Sequence, residues 1–163
     1  MSLTVRMAES GRQKPSPETV EGPSRGWHVE MKMPRQLVSS GSPLEPEIGF
    51  SRAVRVGPYL AVAGTAPIGP DGRALHPGNV YEQTKACFSI AKKAIEDAGG
   101  CLENAIRTRV MLVDIEQWRE AAKAHGEVFG PVRPACTFVG VRRFIDPEWL
   151  VEIEVDCFAD SPE

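Results

Sequence analysis

The chain has 163 residues, 42% of them hydrophobic and 25% charged, with a formal net charge of −3, and this composition predicts a single domain with one core. The acidic balance argues against nucleic acid as the main partner, because nucleic-acid-binding domains usually carry a basic surface. No apolar run approaches about 18 residues and no secretory pattern opens the chain, so we expect a cytoplasmic protein without a membrane span.

The first segment, residues 1–32, is rich in Ser, Pro, Glu and Gly and has no hydrophobic period. This predicts a flexible leader, followed by one folded domain over residues 33–163. The alternative is an ordered arm that docks on another subunit through Trp27 and Val29. A short first strand is predicted over residues 36–40, where a Ser-, Gly- and Pro-rich stretch then breaks it.

A hairpin is predicted next, from strands over residues 51–56 and 59–66 joined by Gly57-Pro58. The second strand contains small residues over 60–64, which indicates that another group packs closely against it.

The strongest helical pattern covers residues 79–98. Asn79 followed by Glu82 resembles a capping box, apolar residues recur at helical spacing, and Gly99-Gly100 ends the pattern. A strand over 106–113 follows.

A second helix is predicted over residues 116–129. Asp114 with Gln117 repeats the capping pattern at its start, and Gly130-Pro131 stops it. These signals place the second helix directly between two strand patterns.

The last two strands, over residues 135–141 and 151–157, flank a turn marked by Asp146-Pro147. In the final strand apolar residues alternate with three acids, which is the period of a half-buried strand. If the apolar faces of both strands point into one core, Cys136 and Phe138 lie on the outer face with the carboxylates. We therefore predict that this outer face is the functional surface.

This order of elements is typical of an α+β fold with a single mixed sheet and two helices on one face. The uncovered face would carry Met111, Val113 and Phe138, so we expect a second subunit to cover it. Among the four cysteines no Cys-x-x-Cys pair occurs, which argues against a zinc site. Their even number allows two disulfides, although a chain with a full core favours reduced thiols.

Short motifs follow one another along the chain in a defined order and spacing: Gly49–Val54, Val62–Thr65, Gln83-Thr84, Asp97–Gly100, Arg107–Asp114, His125–Gly130, Arg133–Ala135 and Val151–Glu154. Together they resemble the Rid family, also called YjgF or reactive-intermediate deaminase, over about residues 33–159. The resemblance implies a chorismate-mutase-like fold and a homotrimer with clefts between subunits. It also implies hydrolysis of reactive enamines and imines, such as 2-aminoacrylate, to ketoacids and ammonia without a metal or organic cofactor.

The resemblance also assigns residues to the pocket. Glu152 matches the family's pocket glutamate, Phe50 stands where the best-known members have a tyrosine, and Cys136 stands where they have the arginine that holds the substrate carboxylate. Losing a buried charged partner costs roughly 2–5 kcal/mol of binding. We therefore expect a small-molecule substrate different from 2-aminoacrylate.

Three arginines are candidates to replace the missing guanidinium, namely Arg133, Arg107 and Arg109, although each can instead pair with the acidic face. Glu152 is the predicted catalytic residue, because imine hydrolysis needs proton delivery and water attack, and a shielded carboxyl group can assist both. Its structural alternative is an ion pair with Arg107 or Arg109, across strands or subunits.

The predicted substrate-binding residues each have an alternative role. Phe50 forms a pocket wall or packs in the core, and Gly64 and Thr65 either present backbone groups to a ligand or pack closely. Cys136 lines the pocket as a small hydrophobe, acts as a nucleophile with His125 as its base, or tunes specificity.

An enamine or imine hydrolase with altered substrate choice is the function that these residues favour. One alternative is a trimeric protein that binds a small ligand in its clefts without turnover. Another is an RNA-acting protein, because some members of the family are described as ribonucleases. The acidic balance and the lack of a stripe of aromatic and basic residues argue against RNA.

Overall fold

The structure is a computed structural model that describes residues 33–159. The predicted leader, residues 1–32, lies outside the described residues. Within the described range no helix is both long enough and apolar enough to cross a membrane.

The described residues form one six-stranded sheet and three α-helices. The strands are β1 (Arg35–Val38), β2 (Ala53–Val56), β3 (Tyr59–Thr65), β4 (Ala105–Leu112), β5 (Ala135–Gly140) and β6 (Val151–Phe158). The helices are α1 (Leu44–Ile48), α2 (Val80–Asp97) and α3 (Trp118–Phe129), and short 3-10 turns at Leu102–Asn104 and Ile115–Gln117 precede β4 and α3.

The sheet has the order β1-β2-β3-β6-β4-β5. All neighbouring strands are antiparallel except β4 and β5, which are parallel and are linked through α3. The predicted single mixed sheet is therefore confirmed, as are all six strands and both long helices. The short helix α1 was not predicted, and β5 pairs with β4 rather than with the strand that follows it in the chain.

The core lies between one face of the sheet, here called the helix face, and the long helices. β6 contributes Val151, Ile153 and Val155, which are fully buried, and α2 contributes Phe88 and Ile95. Burying a side chain of this size stabilises the fold by about 1.5–3 kcal/mol. The alternation in β6 therefore turns its carboxylates to the opposite face, here called the open face.

The helix α2 begins where the sequence predicts. The side chain of Asn79 accepts a hydrogen bond from the backbone N–H of Glu82 at 3.1 Å. Gly99, with φ of 75°, follows the helix in the left-handed conformation that glycine adopts at low cost.

The predicted orientation of β5 is wrong. Cys136 lies beside Thr108 and Phe138 beside Val110, and both β4 residues are fully buried on the helix face. Phe138 packs edge-on against Trp118 of α3, with 6.3 Å between ring centroids. β5 is an edge strand. The ring of Phe138 gains more by packing under α3 than the smaller neighbouring side chains would, and this decides which residues of β5 lie on the helix face.

This orientation of β5 separates Cys136 from Glu152. Glu152 pairs with Met111 on the open face. Because Met111 also lies beside Val139 of β5, the residues of β5 that share the face of Glu152 are Ala135, Thr137 and Val139. Cys136 and Glu152 therefore lie on opposite faces of the sheet within one chain.

Candidate functional site

Three of the predicted site residues meet around Arg52, which directly precedes β2. Its Nη1 donates hydrogen bonds to the carbonyl oxygen of Gly64 at 2.7 Å and to Oγ1 of Thr65 at 3.1 Å. Its Cζ lies 5.9 Å from the centroid of the Phe50 ring. The pairing of β3 with β6 shifts register between Val62 and Thr65, and such a bulge turns backbone groups out of the ladder, where Arg52 can reach them.

Glu152 lies against the same part of β3. A Cβ built on Gly64 would overlap Oε1 of Glu152, so the carboxylate occupies the space that any larger residue at position 64 would fill. Of the two roles considered for Gly64, close packing is the one that the structure shows. The group that packs against Gly64 is the carboxylate of Glu152, the predicted catalytic residue.

The environment of Glu152 shifts the pKa of its carboxyl group. Partial burial raises the pKa of its carboxyl group, the positive charge of Arg52 opposes that rise, and the negative charge of Glu154 adds to it. Within residues 33–159 Glu152 accepts no hydrogen bond and forms no ion pair. A half-buried carboxyl group without a fixed partner can exchange protons with a ligand.

The predicted structural pairing of Glu152 with Arg109 is wrong within the chain. Arg109 donates to Glu154 at 2.7 Å and to Asp156 at 3.4 Å instead. Asp156 also accepts a hydrogen bond from the hydroxyl of Tyr59 at 2.9 Å. The open face therefore uses its two outer carboxylates in a structural network and leaves the third unpaired.

Arg52 is itself held in a partly desolvated position. Burial lowers the pKa of its guanidinium, and the charges of Glu45 and Glu152 oppose that effect. An arginine stays protonated in proteins at neutral pH. Its buried Nε has no acceptor among the described residues. The site therefore contains a permanent positive charge whose hydrogen-bonding capacity is incompletely used.

Glu45 of α1 acts on Arg52 through its charge. Its carboxylate accepts hydrogen bonds from Oγ of Ser39 at 2.5 Å, from the backbone N–H of Ser40 at 2.8 Å and from Oγ of Ser40 at 2.6 Å. The hydroxyl of Ser39, followed by that of Ser40, lowers the pKa of Glu45. Glu45 is therefore a fixed carboxylate near Arg52 with its oxygens already occupied.

Two cavities adjoin these residues. Glu152 lines an open cleft of about 570 Å³ together with Arg143, Phe144 and Ile145 of the loop between β5 and β6. Arg52 and Thr65 line a second cavity of about 700 Å³, which lies between the loop that leads into α1 and the helix α2. Either volume accommodates a small metabolite.

Cys136 and Arg133 lie elsewhere in the chain. Cys136 is exposed on the helix face of β5, and Arg133 is exposed in the segment that follows α3, with φ of 55°. Oγ1 of Thr108, which neighbours Cys136, lies 2.9 Å from Nε2 of His125, and burial lowers the pKa of that imidazole. The predicted grouping of Cys136 with Glu152 on one face is wrong, while the nucleophile hypothesis with His125 stays a prediction.

Arg52 belongs to the motif Gly49–Val54, but the sequence analysis predicts no role for it. One signal was present in the sequence. In this extended segment Phe50, Arg52 and Val54 alternate with residues of the other face, and one of those, Ala53, is buried in the core. That parity places a cation on the open face near the predicted pocket wall. The contact with Gly64 depends on the bulge in β3, which alternation alone does not reveal.

Comparisons with known proteins match this fold. The family model described as Endoribonuclease L-PSP matches residues 40–159. An uncharacterized protein of Streptomyces coelicolor is 42% identical over 121 residues, which cover 74% of this chain and 90% of that protein. A RutC family protein of Pyrococcus abyssi is 28% identical over 128 residues, covering 78% of this chain and 100% of that protein.

Among solved structures, a member of the YjgF/YER057c/UK114 family from Mycobacterium tuberculosis superposes with a TM-score of 0.69 at 40% identity, covering 77% of this chain and 100% of that chain. The resemblance that the sequence motifs carry is thereby confirmed. The chain belongs to the Endoribonuclease L-PSP family, which is the YjgF/Rid family of α+β proteins.

Proposed function

We propose that the protein hydrolyses a small reactive enamine or imine to a carbonyl compound and ammonia, with Glu152 as the proton-transfer residue and with a substrate choice altered from 2-aminoacrylate. The observation that carries the proposal is the state of Glu152. It is half-buried, its pKa is raised by that burial, and it has no hydrogen bond or ion pair within the described chain.

This carboxyl group can carry out the proton transfers of the reaction, with water as the nucleophile. Neutral Glu152 protonates the enamine carbon, so that a C–H bond forms and the C=C electron pair shifts to give an iminium ion. The resulting carboxylate removes a proton from water as the water oxygen bonds to the iminium carbon, which gives a carbinolamine. Glu152 then protonates the nitrogen, the C–N bond breaks, and the hydroxyl proton returns to the carboxylate as the carbonyl forms.

The electrostatics of the site suit such a cycle. A group that alternately donates and accepts a proton works best when its pKa lies near the working pH. Burial moves the pKa of Glu152 upward in that direction, and the charge of Arg52 limits the rise. Burial and the charge of Arg52 therefore act on the pKa of Glu152 in opposite directions.

We further propose that the site is completed between copies of the chain in a homotrimer. Cys136 and Glu152 occupy opposite faces of one sheet, so one chain cannot bring them to the same ligand. The open face also exposes apolar side chains, including Val139 at 41% and Phe158 at 55% exposure. Light scattering that returns the mass of one chain would contradict this assembly.

The test of the function is ammonia release from a panel of imines generated in situ. Glu152→Gln keeps the shape of the side chain and removes its proton transfer, so we expect turnover to fall by roughly 10²–10⁴-fold. The matched control is Glu120→Gln, which changes an exposed carboxylate of α3. Unchanged turnover in Glu152→Gln would remove this residue from the mechanism.

The same assay separates the alternative functions. If no imine is turned over while a small ligand still binds, the protein is a binding protein rather than a hydrolase. The description of the family model favours a second candidate, RNA cleavage, although the carboxylates of Glu152, Glu154 and Asp156 on one face would repel phosphates. Cleavage of a labelled RNA, with binding that weakens steeply with salt, would support that candidate.

A further inference from the structure

We propose that Arg52 is a specificity-determining residue of this site, where it binds a carboxylate group of the substrate in place of the arginine that position 136 lacks. The inference rests on the proposed function for its substrate chemistry, and it goes beyond that function by assigning the anion-binding group. Arg52 was not among the arginines that sequence analysis considered for this role.

The first argument is convergence. Arg52 contacts the carbonyl of Gly64, the hydroxyl of Thr65 and the ring of Phe50, and its charge acts on Glu152. These are the residues of the predicted site that lie on β3, on β6 and before β2. A ligand in contact with this set therefore lies near a guanidinium that is already in place.

The second argument is the inventory of its donors. An arginine has five N–H groups, and Nη1 supplies both of the hydrogen bonds that Arg52 donates within residues 33–159. Nε is buried without an acceptor, and Nη2 also has none among these residues. The edge formed by Nε and Nη2 matches the two oxygens of a carboxylate, and a ligand that binds this edge must displace the groups that bury Nε.

The third argument is that this guanidinium is oriented but not neutralised. Its nearest acidic neighbours, Glu45 and Glu152, act on it through their charges, yet neither forms an ion pair with it in the described chain. The oxygens of Glu45 are occupied by Ser39 and Ser40. Arg52 lines a cavity of about 700 Å³ and Glu152 lines a separate cleft, so a ligand held by both residues would have to reach from one opening to the other.

The other arginines near the site are less suited to the role. Arg109 is engaged by two carboxylates, and Arg133 lies on a different part of the surface, exposed after α3. Arg143 lines the cleft of Glu152 but is exposed, so water competes for its donors. Arg143 is therefore the rival against which Arg52 must be tested.

The experiment compares two ligands of nearly equal shape, pyruvate and its neutral amide pyruvamide, by titration calorimetry with the full chain. The wild-type protein should bind pyruvate at least about tenfold more tightly than pyruvamide, because a carboxylate makes charge-assisted bonds to a guanidinium. Arg52→Met should remove this preference and leave pyruvamide binding within about twofold. Arg52→Lys should restore part of it, since the charge remains and the paired donors are lost.

Two control variants make the outcome decisive. Arg119→Met removes an exposed arginine from α3, outside the site, and should leave the preference unchanged. Loss of the preference in Arg143→Met but not in Arg52→Met would overturn the proposal, and so would equal weakening of both ligands in Arg52→Met. A wild-type protein that does not discriminate the two ligands would overturn it as well.

Failure of the two proposals can be told apart, because the binding measurement needs no turnover. Preferential pyruvate binding that depends on Arg52, without ammonia release from any imine, would contradict the hydrolase and leave the anion-binding role intact. Ammonia release that depends on Glu152, without discrimination between pyruvate and pyruvamide, would contradict the role of Arg52 alone.

Discussion

The contact between Gly64 and Glu152 gives the sharpest test of the site. Gly64→Ala adds a Cβ that would overlap Oε1 of Glu152, so the carboxylate must move. The overlapped atom is the end of a flexible side chain, and leaving its preferred rotamer costs about 0.5–1.5 kcal/mol. Misplacing a catalytic group by about 1 Å lowers a rate by roughly 10²-fold. We therefore expect a small loss of stability together with a large loss of turnover.

Urea unfolding and ammonia release measure these two effects separately. Gly126→Ala is the matched control, because a Cβ at that position of α3 meets no atom within 4 Å. Alanine is favoured over glycine inside a helix by about 0.8–1 kcal/mol. The control should therefore gain stability and keep its turnover.

A double-mutant cycle can refute the reasoning. Glu152→Ala removes the group that the new Cβ displaces, so adding Gly64→Ala to it should cost almost no further stability. The same loss of stability with and without Glu152 would mean that the alanine strains β3 itself, and the close approach of the carboxylate would not explain the need for glycine.

Two further predictions concern stability. Because burial raises the pKa of Glu152 in the folded chain, folding favours its protonated form, and the protein should lose stability as pH rises from the ordinary glutamate range through the raised pKa. Glu152→Gln should remove this dependence, and parallel unfolding curves for the two proteins from pH 4 to pH 8 would contradict it. Asn79→Ala removes the hydrogen bond that caps α2 and should cost about 1 kcal/mol, measured by urea unfolding; a loss below about 0.3 kcal/mol would show that water replaces the cap.

Most of the fold could be predicted from the sequence, because the patterns that define its strands, helices and turns are local. The alternation in β6, the cap of α2 at Asn79 and the turn at Gly57-Pro58 each depend on residues within a few positions of one another. Helix α1 escaped prediction because its five residues follow Pro43 in a segment dominated by turn-forming residues. Its position depends on the bonds between Glu45 and the serines before it.

The site was less predictable because it depends on parity and on contacts between distant positions. In β5 the small residues at 135, 137 and 139 alternate as convincingly as Cys136 and Phe138, and only packing under α3 decides between the two faces. A strand's side-chain period is two, so one wrong choice moves every residue to the other face. Arg52 was overlooked because its partners, Gly64 and Thr65, lie 12 and 13 positions away across a bulge.

The proposed site between copies of the chain predicts that turnover depends on assembly. Since Cys136 and Glu152 open onto opposite faces of one sheet, a ligand that touches both must bind between two chains. Folding needs no such partner, because the core between the helix face and the long helices closes within one chain. Dilution below the concentration at which copies associate should therefore abolish turnover while the circular dichroism of the helices persists. Specific activity that stays constant while light scattering reports dissociation would place the whole site within a single chain and would separate Cys136 from it.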